Sequence, residues 1–309
     1  GLGIAGRPHP LNPTHRHASL QGIGFAVLAT ACFATLDTTT RHVSAGLSVL
    51  VALWFRYVIQ ALITTIVVWP GRGSQVLRTR NPRFQLARGL LLLACGVLAF
   101  TSLKYMPVGE FTAISLLSPL VITLLSAWML KESIRPLRWL LVLGGFVGTL
   151  VIIRPGSHEF DWTLALPLLL VLANAGFQIL TSHMSKTEDP ITTHFYTGWI
   201  VTVLASLMLP FVWQMPTDGV VWLQLLLMGL MGTVGHFFLI LAYGRAPAAT
   251  LTPYMYAQIG FGVLGGWIVF NHLPDQWTFV GMGLIALCGA LGAWLTVREN
   301  RISIQPPET

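Results

Sequence analysis

The sequence predicts an all-α membrane protein of ten transmembrane helices, arranged as two inverted five-helix repeats. Three observations carry that expectation. The 309 residues are 54% hydrophobic and only 9% charged, whereas a soluble domain carries about 25% charged residues. So few charges cannot cover a water-facing surface of this size. Ten apolar runs then follow one another, at about 20–39, 48–69, 84–104, 108–129, 136–154, 162–182, 190–211, 220–243, 248–270 and 276–297. Finally, the two halves match at a fixed offset of 140: Pro247 answers Pro107 and Thr252 answers Thr112.

Taken in order, residues 1–19 hold Arg7, Pro8, Pro10, Pro13 and Arg16 and read as a flexible polar tail. No signal peptide is visible there, because no short apolar region precedes a small-residue cleavage site. Each apolar run is near the roughly 20 residues that cross ~30 Å of hydrocarbon. Lipid cannot satisfy free backbone groups, so each run should be helical. Boundary signals agree. Asn81-Pro82 and Asp189-Pro190 read as an N-cap followed by proline at the first helical position. Asp161, Asp218 and Asp275 sit where N-caps are expected. The fourth run carries Ser118-Pro119 near its middle, a kink signal, and stops at Lys131-Glu132. Residues 298–309 read as a second polar tail. The units are therefore 20–154 and 155–297 between two tails. Cys32, Cys95 and Cys288 all lie in apolar runs, which predicts buried thiols without a disulfide framework.

The net charge of +7 is a topology signature and no sign of a nucleic-acid partner. With the N-terminus inside, 14 Lys and Arg fall on the inner side: Arg7, Arg16, Arg72, Arg78, Arg80, Arg83, Arg88, Lys131, Arg135, Arg138, Lys186, Arg245, Arg298 and Arg301. Three fall outside, Arg41, Lys104 and Arg154, and Arg56 lies within a span. The positive-inside rule therefore predicts two cytoplasmic termini. Five spans per half is an odd number, so the second half enters the bilayer from the opposite side. The offset holds without gaps from Phe55/Phe195 to Leu124/Leu264, and the first helix of each half needs a four-residue adjustment, Phe33 with Phe177. Inverted repeats with interrupted helices place a binding site near the midplane where the halves meet.

The motifs Trp54-Phe55-Arg56-Tyr57, Tyr105-Met106-Pro107, Ser118-Pro119, Lys131-Glu132 and Gly144-Gly145-Phe146-Val147-Gly148 now stand in order. The second half adds Ala242-Tyr243-Gly244-Arg245-Ala246-Pro247 and the glycines from Gly283 to Gly292. Over residues 20–297 the chain resembles the drug/metabolite transporter superfamily, specifically its ten-helix EamA-type exporters, and among them the exporters of amino acids, aromatic ones included. One position departs from the family pattern. The acidic residue that usually ends the fourth helix of the second half is His272 here.

Candidate residues fall into two sets. Polar and aromatic side chains at helical spacing form stripes on the four runs that hold equivalent places in the halves. They are Thr30 and Phe33 in the first run, Ser115 and Ser118 in the fourth, Asn174, Phe177 and Gln178 in the sixth, and Tyr254 and Gln258 in the ninth. Such groups serve either as a substrate-lining set or as hydrogen-bonding glue between helices. Ionisable groups within spans cost about 2.5–3.5 kcal/mol at a helix centre by insertion scales and so mark gating or coupling candidates. These are Asp37, Arg56, Glu110 and His236. Asp37 has two options, a neighbouring-helix pair with Arg56 or a local pair with Arg41 at i+4. Glu110 sits in a first helical turn with Lys104 near it in sequence. His236 is either a proton relay or a satisfied group between helices.

No metal-ligand spacing and no hydrolase or nucleotide-loop signature is present; Gly260 to Gly266 follows no strand, so it fails the context test for a phosphate loop. The spacings Gly144/Gly148 and Gly262/Gly266 read as close helix packing instead. The resemblance implies a secondary transporter of the bacterial inner membrane, without a cofactor. It would export small neutral amphipathic metabolites, amino acids foremost, by alternating access through a central cavity. A broad-specificity drug or cation exporter is the alternative within the superfamily, and needs Asp37 or Glu110 to face the cavity. A membrane-embedded lipid-modifying enzyme is a third reading, which the shortage of acids between the spans opposes. The partners expected are a small-molecule substrate and the bilayer, with no nucleic acid; proton coupling, and a monomer or a dimer, stay open.

Overall fold

A computed structural model describes residues 13–129, 131, 135–154, 161–184, 187–246 and 248–304. These residues form twelve α-helices and no strand: α1 Pro13–Val43, α2 Val49–Arg72, α3 Pro82–Tyr105, α4 Val108–Ser115, α5 Ser118–Met129, α6 Pro136–Ile153, α7 Leu166–Met184, α8 Pro190–Met208, α9 Gly219–Tyr243, α10 Ala248–Met255, α11 Ala257–Phe270 and α12 Gln276–Ile304. Helix begins at Pro13, within the expected tail, and α12 runs to Ile304, past the expected end at 297. The first twelve residues and Glu132 lie outside the described residues.

Nine stretches among the described residues are long and apolar enough to cross a bilayer, with α4 and α5 counted as one. The expected tenth, 248–270, is broken into pieces of 8 and 14 residues. In series these pieces still carry the chain from one end of the bundle to the other. Just before α10, Arg245 donates from Nε to Gln21 near the start of α1 (3.2 Å). Just after α11, His272 meets Glu110, whose helix starts beside Arg41 at the far end of α1. Large apolar side chains stud the outside, Phe211 at 88% and Trp128 at 71% exposure among them, as a lipid-facing surface requires.

Both fourth runs break, and at equivalent places. The first stops at Ser115 and restarts at Ser118; the second is interrupted at Tyr256, and 256 − 140 = 116. Local chemistry accounts for the first break. Pro119 has no N–H to give to the carbonyl one turn earlier, and that carbonyl, on Ser115, accepts the Ser118 hydroxyl at 2.8 Å. The expected kink therefore becomes a full interruption just before the proline. In the second half Pro253 lies inside α10, three residues ahead of the break.

Packing obeys the repeat. Equating α1 with α7, α2 with α8, α3 with α9, α4–α5 with α10–α11 and α6 with α12, the major contacts outside the broken helices have counterparts. Helix α1 packs on α9 and α7 on α3; α1 packs on α11 and α7 on α5; α2 packs on α9 and α8 on α3. The pairs α2–α8 and α6–α12 map onto themselves and lie on the pseudo-twofold axis, whereas α4 meets α11 without an equivalent α5–α10 contact among the described residues. The apolar core gathers around one such seam, with Phe111, Ile114 and Leu117 beside Leu141, Val142, Met282 and Ile285.

The connections tie up in the same pattern. Oε1 of buried Glu188 accepts from Thr79 Oγ1 (2.9 Å), Arg80 N (2.8 Å) and Asn81 N (2.9 Å), joining the α2–α3 and α7–α8 loops. At the opposite end, Gln214 bonds the backbone of Ser48 and Gly46, both at 3.2 Å. Asp161, Asp189, Asp218 and Asp275 all accept from backbone N–H groups at helix starts. Asn81 does not cap; its amide bonds Thr187 and Glu188 instead. The three cysteines are free.

Where α6 crosses α12 the backbones touch. A Cβ on Gly148 would lie 2.7 Å from the Gly281 carbonyl, and one on Gly281 would lie 2.6 Å from the Gly148 carbonyl. Gly148→Val should therefore push the two helices apart and destabilise the protein by about 1–3 kcal/mol, the usual scale of overpacking. Thermal unfolding in detergent reads this as a lowered midpoint; an unchanged midpoint would mean the crossing is not tight.

Candidate functional site

A cavity of about 420 Å³ lies against the two breaks, within the usual range of about 300–1,000 Å³ for small-molecule sites. Its polar lining comprises Ser115, Ser118 and Thr123 from the α4–α5 region, Asn174 and Gln178 from α7, and Thr252 and Tyr256 from the α10 break. Leu141, Val142, Leu239 and Met255 supply apolar wall. At one end stand Arg138 of α6 and Thr296 of α12; Arg138 is held by Glu299 at 2.8 Å and by Thr296 at 3.2 Å. Among the described lining residues none is Asp or Glu. The lining thus offers hydroxyl and amide donors and acceptors with no free carboxylate.

Tyr256 closes the inner wall. Its hydroxyl donates to the Leu116 carbonyl at 3.0 Å, so the break in one half is satisfied by the break in the other. The ring reaches that carbonyl because α12 has glycine beside it: a Cβ on Gly289 would overlap the phenol oxygen. The first break therefore leaves no unpaired carbonyl at Leu116.

The structure divides the expected residues between places. Ser115, Ser118, Asn174 and Gln178 meet in the cavity. Thr30, Phe33, Phe177, Tyr254 and Gln258 do not line it. Thr30 is fully buried and its hydroxyl bonds the Val27 carbonyl of its own helix. Phe177 stacks under the Arg88 guanidinium, 4.3 Å away. Tyr254 is 43% exposed on the outer side of α10. Asp37 lies in the electrostatic field of Arg56 on the neighbouring helix, but among the described residues it forms an ion pair with neither Arg56 nor Arg41. Arg41 instead donates to the carbonyls of Leu103 (2.9 Å) and Met106. Phe33 packs edge-on against His236 at 5.1 Å, and His194 stands 6.3 Å from the same imidazole. Glu110 meets His272 at 3.4 Å, while Lys104 lies over Tyr105.

Five contributors to the lining, Thr123, Arg138, Thr252, Tyr256 and Thr296, are not among the candidates read from sequence. Tyr256 is the 140-offset partner of Leu116, which arithmetic alone could have raised. Arg138 had been counted as a topology charge, and Thr252 and Thr296 carried no signal beyond being hydroxyls in apolar runs. Arg88 had also been counted with the inner charges. It is buried in α3, on Thr181 (2.7 Å), Thr197 and the Thr193 carbonyl (3.5 Å).

Residues 20–154 match the model of the EamA-like transporter family. Relatives extend the match over the second half. A riboflavin transporter of Rhizobium johnstonii is 30% identical over 289 residues, 91% of this chain and 92% of the relative. The chain belongs to the EamA-like transporter family. A riboflavin transporter of Vibrio cholerae is 29% identical over 295 residues, covering 93% of this chain and 97% of the relative. An S-adenosylmethionine uptake transporter of Rickettsia conorii is 27% identical over 268 residues, covering 86% and 90%. One solved crystal structure superposes with a TM-score of 0.62 at 21% identity, over 92% of this chain and 98% of that one, a likeness of fold. The protein is therefore a multi-pass membrane transporter of small molecules, and not an enzyme.

The Tyr256–Leu116 contact makes a definite prediction. Tyr256→Phe should cost about 0.5–1.5 kcal/mol, the net worth of one hydrogen bond. Gly289→Ala should displace the ring and lose the same bond, so the double variant should fall short of the sum of the singles. Thermal unfolding of the four proteins measures this; strict additivity would contradict the contact.

Proposed function

We propose that this transporter carries an uncharged, polar heteroaromatic metabolite of riboflavin's kind across a bacterial inner membrane. The observation that carries the reading is the lining of the 420 Å³ cavity: hydroxyls and amides over an apolar wall, with no described carboxylate. Riboflavin presents ring carbonyls, an imide N–H and a hydroxylated side chain, which such a lining meets group by group. The names of the matched relatives support the same class.

Aromatic amino acids, the class suggested by sequence resemblance, fit less well. Their ammonium group has no described acid to meet in the cavity, and Arg138 is already paired with Glu299. None of the three matched relatives described above is named for amino-acid export. A cationic substrate, such as S-adenosylmethionine or a lipophilic drug, lacks the same acid; Asp37 and Glu110 are both absent from the lining.

In our reading the charge bias puts the Arg138 end at the cytoplasm, with both termini. The cavity then opens inward while α4–α5 and α10–α11 close the outer half. Alternating access follows when these broken helices part at one end and meet at the other, the default behaviour of inverted repeats around a midplane site.

Reconstituted protein should exchange labelled riboflavin across liposomes. Gln178→Ala and Ser118→Ala should each raise the half-saturating concentration about threefold to tenfold, the loss of one hydrogen bond. Tryptophan or S-adenosylmethionine in excess should compete poorly. Tryptophan flux without riboflavin flux would return the substrate to the amino acids, and indifference to both substitutions would move the site elsewhere.

A further inference from the structure

A second pocket, of about 300 Å³, opens at the Arg41 end of the bundle, opposite the Arg138 end. Glu110 enters it from the first turn of α4 and His272 from the second residue after α11. The pair joins the two broken helices, and so the two halves. Glu110 is buried, at 7% exposure. Its Oε1 lies 3.4 Å from His272 Nε2, while Oε2 is sealed from solvent without a partner. A buried carboxylate oxygen left unpaired is costly, and that cost falls when the pair holds a proton. His272 is fixed by the end of α11, where Asn271 takes a left-handed conformation and the His272 N–H bonds the Gly266 carbonyl at 3.2 Å. Its side chain is 43% exposed, so its ring nitrogens can reach the water of the pocket.

The other charged groups near Glu110 have contacts of their own. Arg41 of α1 lies close enough to act on Glu110 through space, and its Nη1 donates to the Leu103 and Met106 carbonyls. Lys104, at the end of α3, sits over Tyr105. His42 of α1 bonds Gln224 of α9 at 2.7 Å. Arg154, after α6, pairs with Asp275, before α12, at 2.6 Å. That guanidinium holds the Asp275 carboxyl down at about 2, so this pair keeps its charges throughout the physiological range. The imidazole that faces Glu110 is His272.

We propose that Glu110 and His272 share one exchangeable proton, drawn from and returned to the water of this pocket, and that its presence latches α4 to α11. With the proton bound, imidazolium and carboxylate attract across the seam and the outer ends of the broken helices stay together. When the proton leaves Nε2 for pocket water, a neutral imidazole faces a buried carboxylate. The attraction is lost and the ends part. Only the consequence rests on the transport reading: each cycle that opens this end then exchanges a proton with the same compartment.

The test uses no substrate, so it stands or falls apart from riboflavin flux. Ile153→Cys places a thiol on the buried wall of the pocket, in full-length protein with Cys32, Cys95 and Cys288 replaced by alanine. Its rate of reaction with a membrane-impermeant maleimide is followed from pH about 5.5 to about 8, the range in which imidazole titrates. The same cysteine is followed in His272→Gln and in Glu110→Gln, where only thiolate formation changes the rate. The expected result is a further severalfold rise in the parent, centred on the imidazole range and lost in both variants. One shared pH dependence for all three proteins would overturn the proposal, and so would a further rise that survives Glu110→Gln. Should His272→Gln fail to fold, the comparison with the isosteric Glu110→Gln decides alone.

Discussion

Backbone polar groups in a bilayer must be satisfied within the protein, and that constraint organises this molecule. An interrupted helix is tolerable only where protein or a polar cavity covers the exposed groups. Here two interruptions, at Leu116 and at Tyr256, are placed face to face, and the Tyr256 hydroxyl bonds the Leu116 carbonyl. Gly289 makes room for the ring, so α12 is part of the arrangement. The same interruptions that need covering supply the hydroxyls of Ser115, Ser118 and Thr252 to the cavity. Cavity and break are thus one feature seen from two sides.

The fold is symmetric while its chemistry is not. Packing of the unbroken helices exchanges between halves, yet the ends of the broken helices carry different groups. The fourth run of the first half ends in Lys131-Glu132; that of the second ends in Asn271-His272. An imidazole in place of an acid turns one end of the pathway into a site that meets Glu110 by attraction. The opposite end is tied instead by the charged pair Arg138–Glu299 and by the Glu188 cluster. The two ends of the bundle therefore carry different side chains on equivalent backbone.

Much of the fold was legible because a few residue types act locally. Aspartates before apolar runs did cap helices and Ser118-Pro119 did break one, while the equivalent break at Tyr256 fell inside a run read as continuous. The candidate site was legible only where a short side chain on a helix face lines the adjoining space, as with Ser115, Ser118, Asn174 and Gln178. Long side chains defeated the reading. Arg138 reaches Glu299 across 161 residues, and Arg41, in place of Asp37 on its own helix, bonds carbonyls of α3 and its following turn. Such choices are made by tertiary distance, which spacing along one helix does not encode. Arg88 shows the matching limit of charge counting, since a charge near a helix start can point inward as well as toward a headgroup.

The seam between α4 and α11 is where the halves must part if this account is right, because it lies between the Tyr256–Leu116 contact and the Glu110–His272 pair. A Cβ on Gly262 would stand 3.2 Å from the Thr112 hydroxyl, within reach of a disulfide between cysteines at the two positions. The direct measurement is transport by the Thr112→Cys, Gly262→Cys protein, oxidised and then reduced, in a background free of other cysteines. The account predicts that oxidation forms the bond and stops exchange, and that reduction restores it. Exchange at an undiminished rate through the cross-linked protein would contradict it.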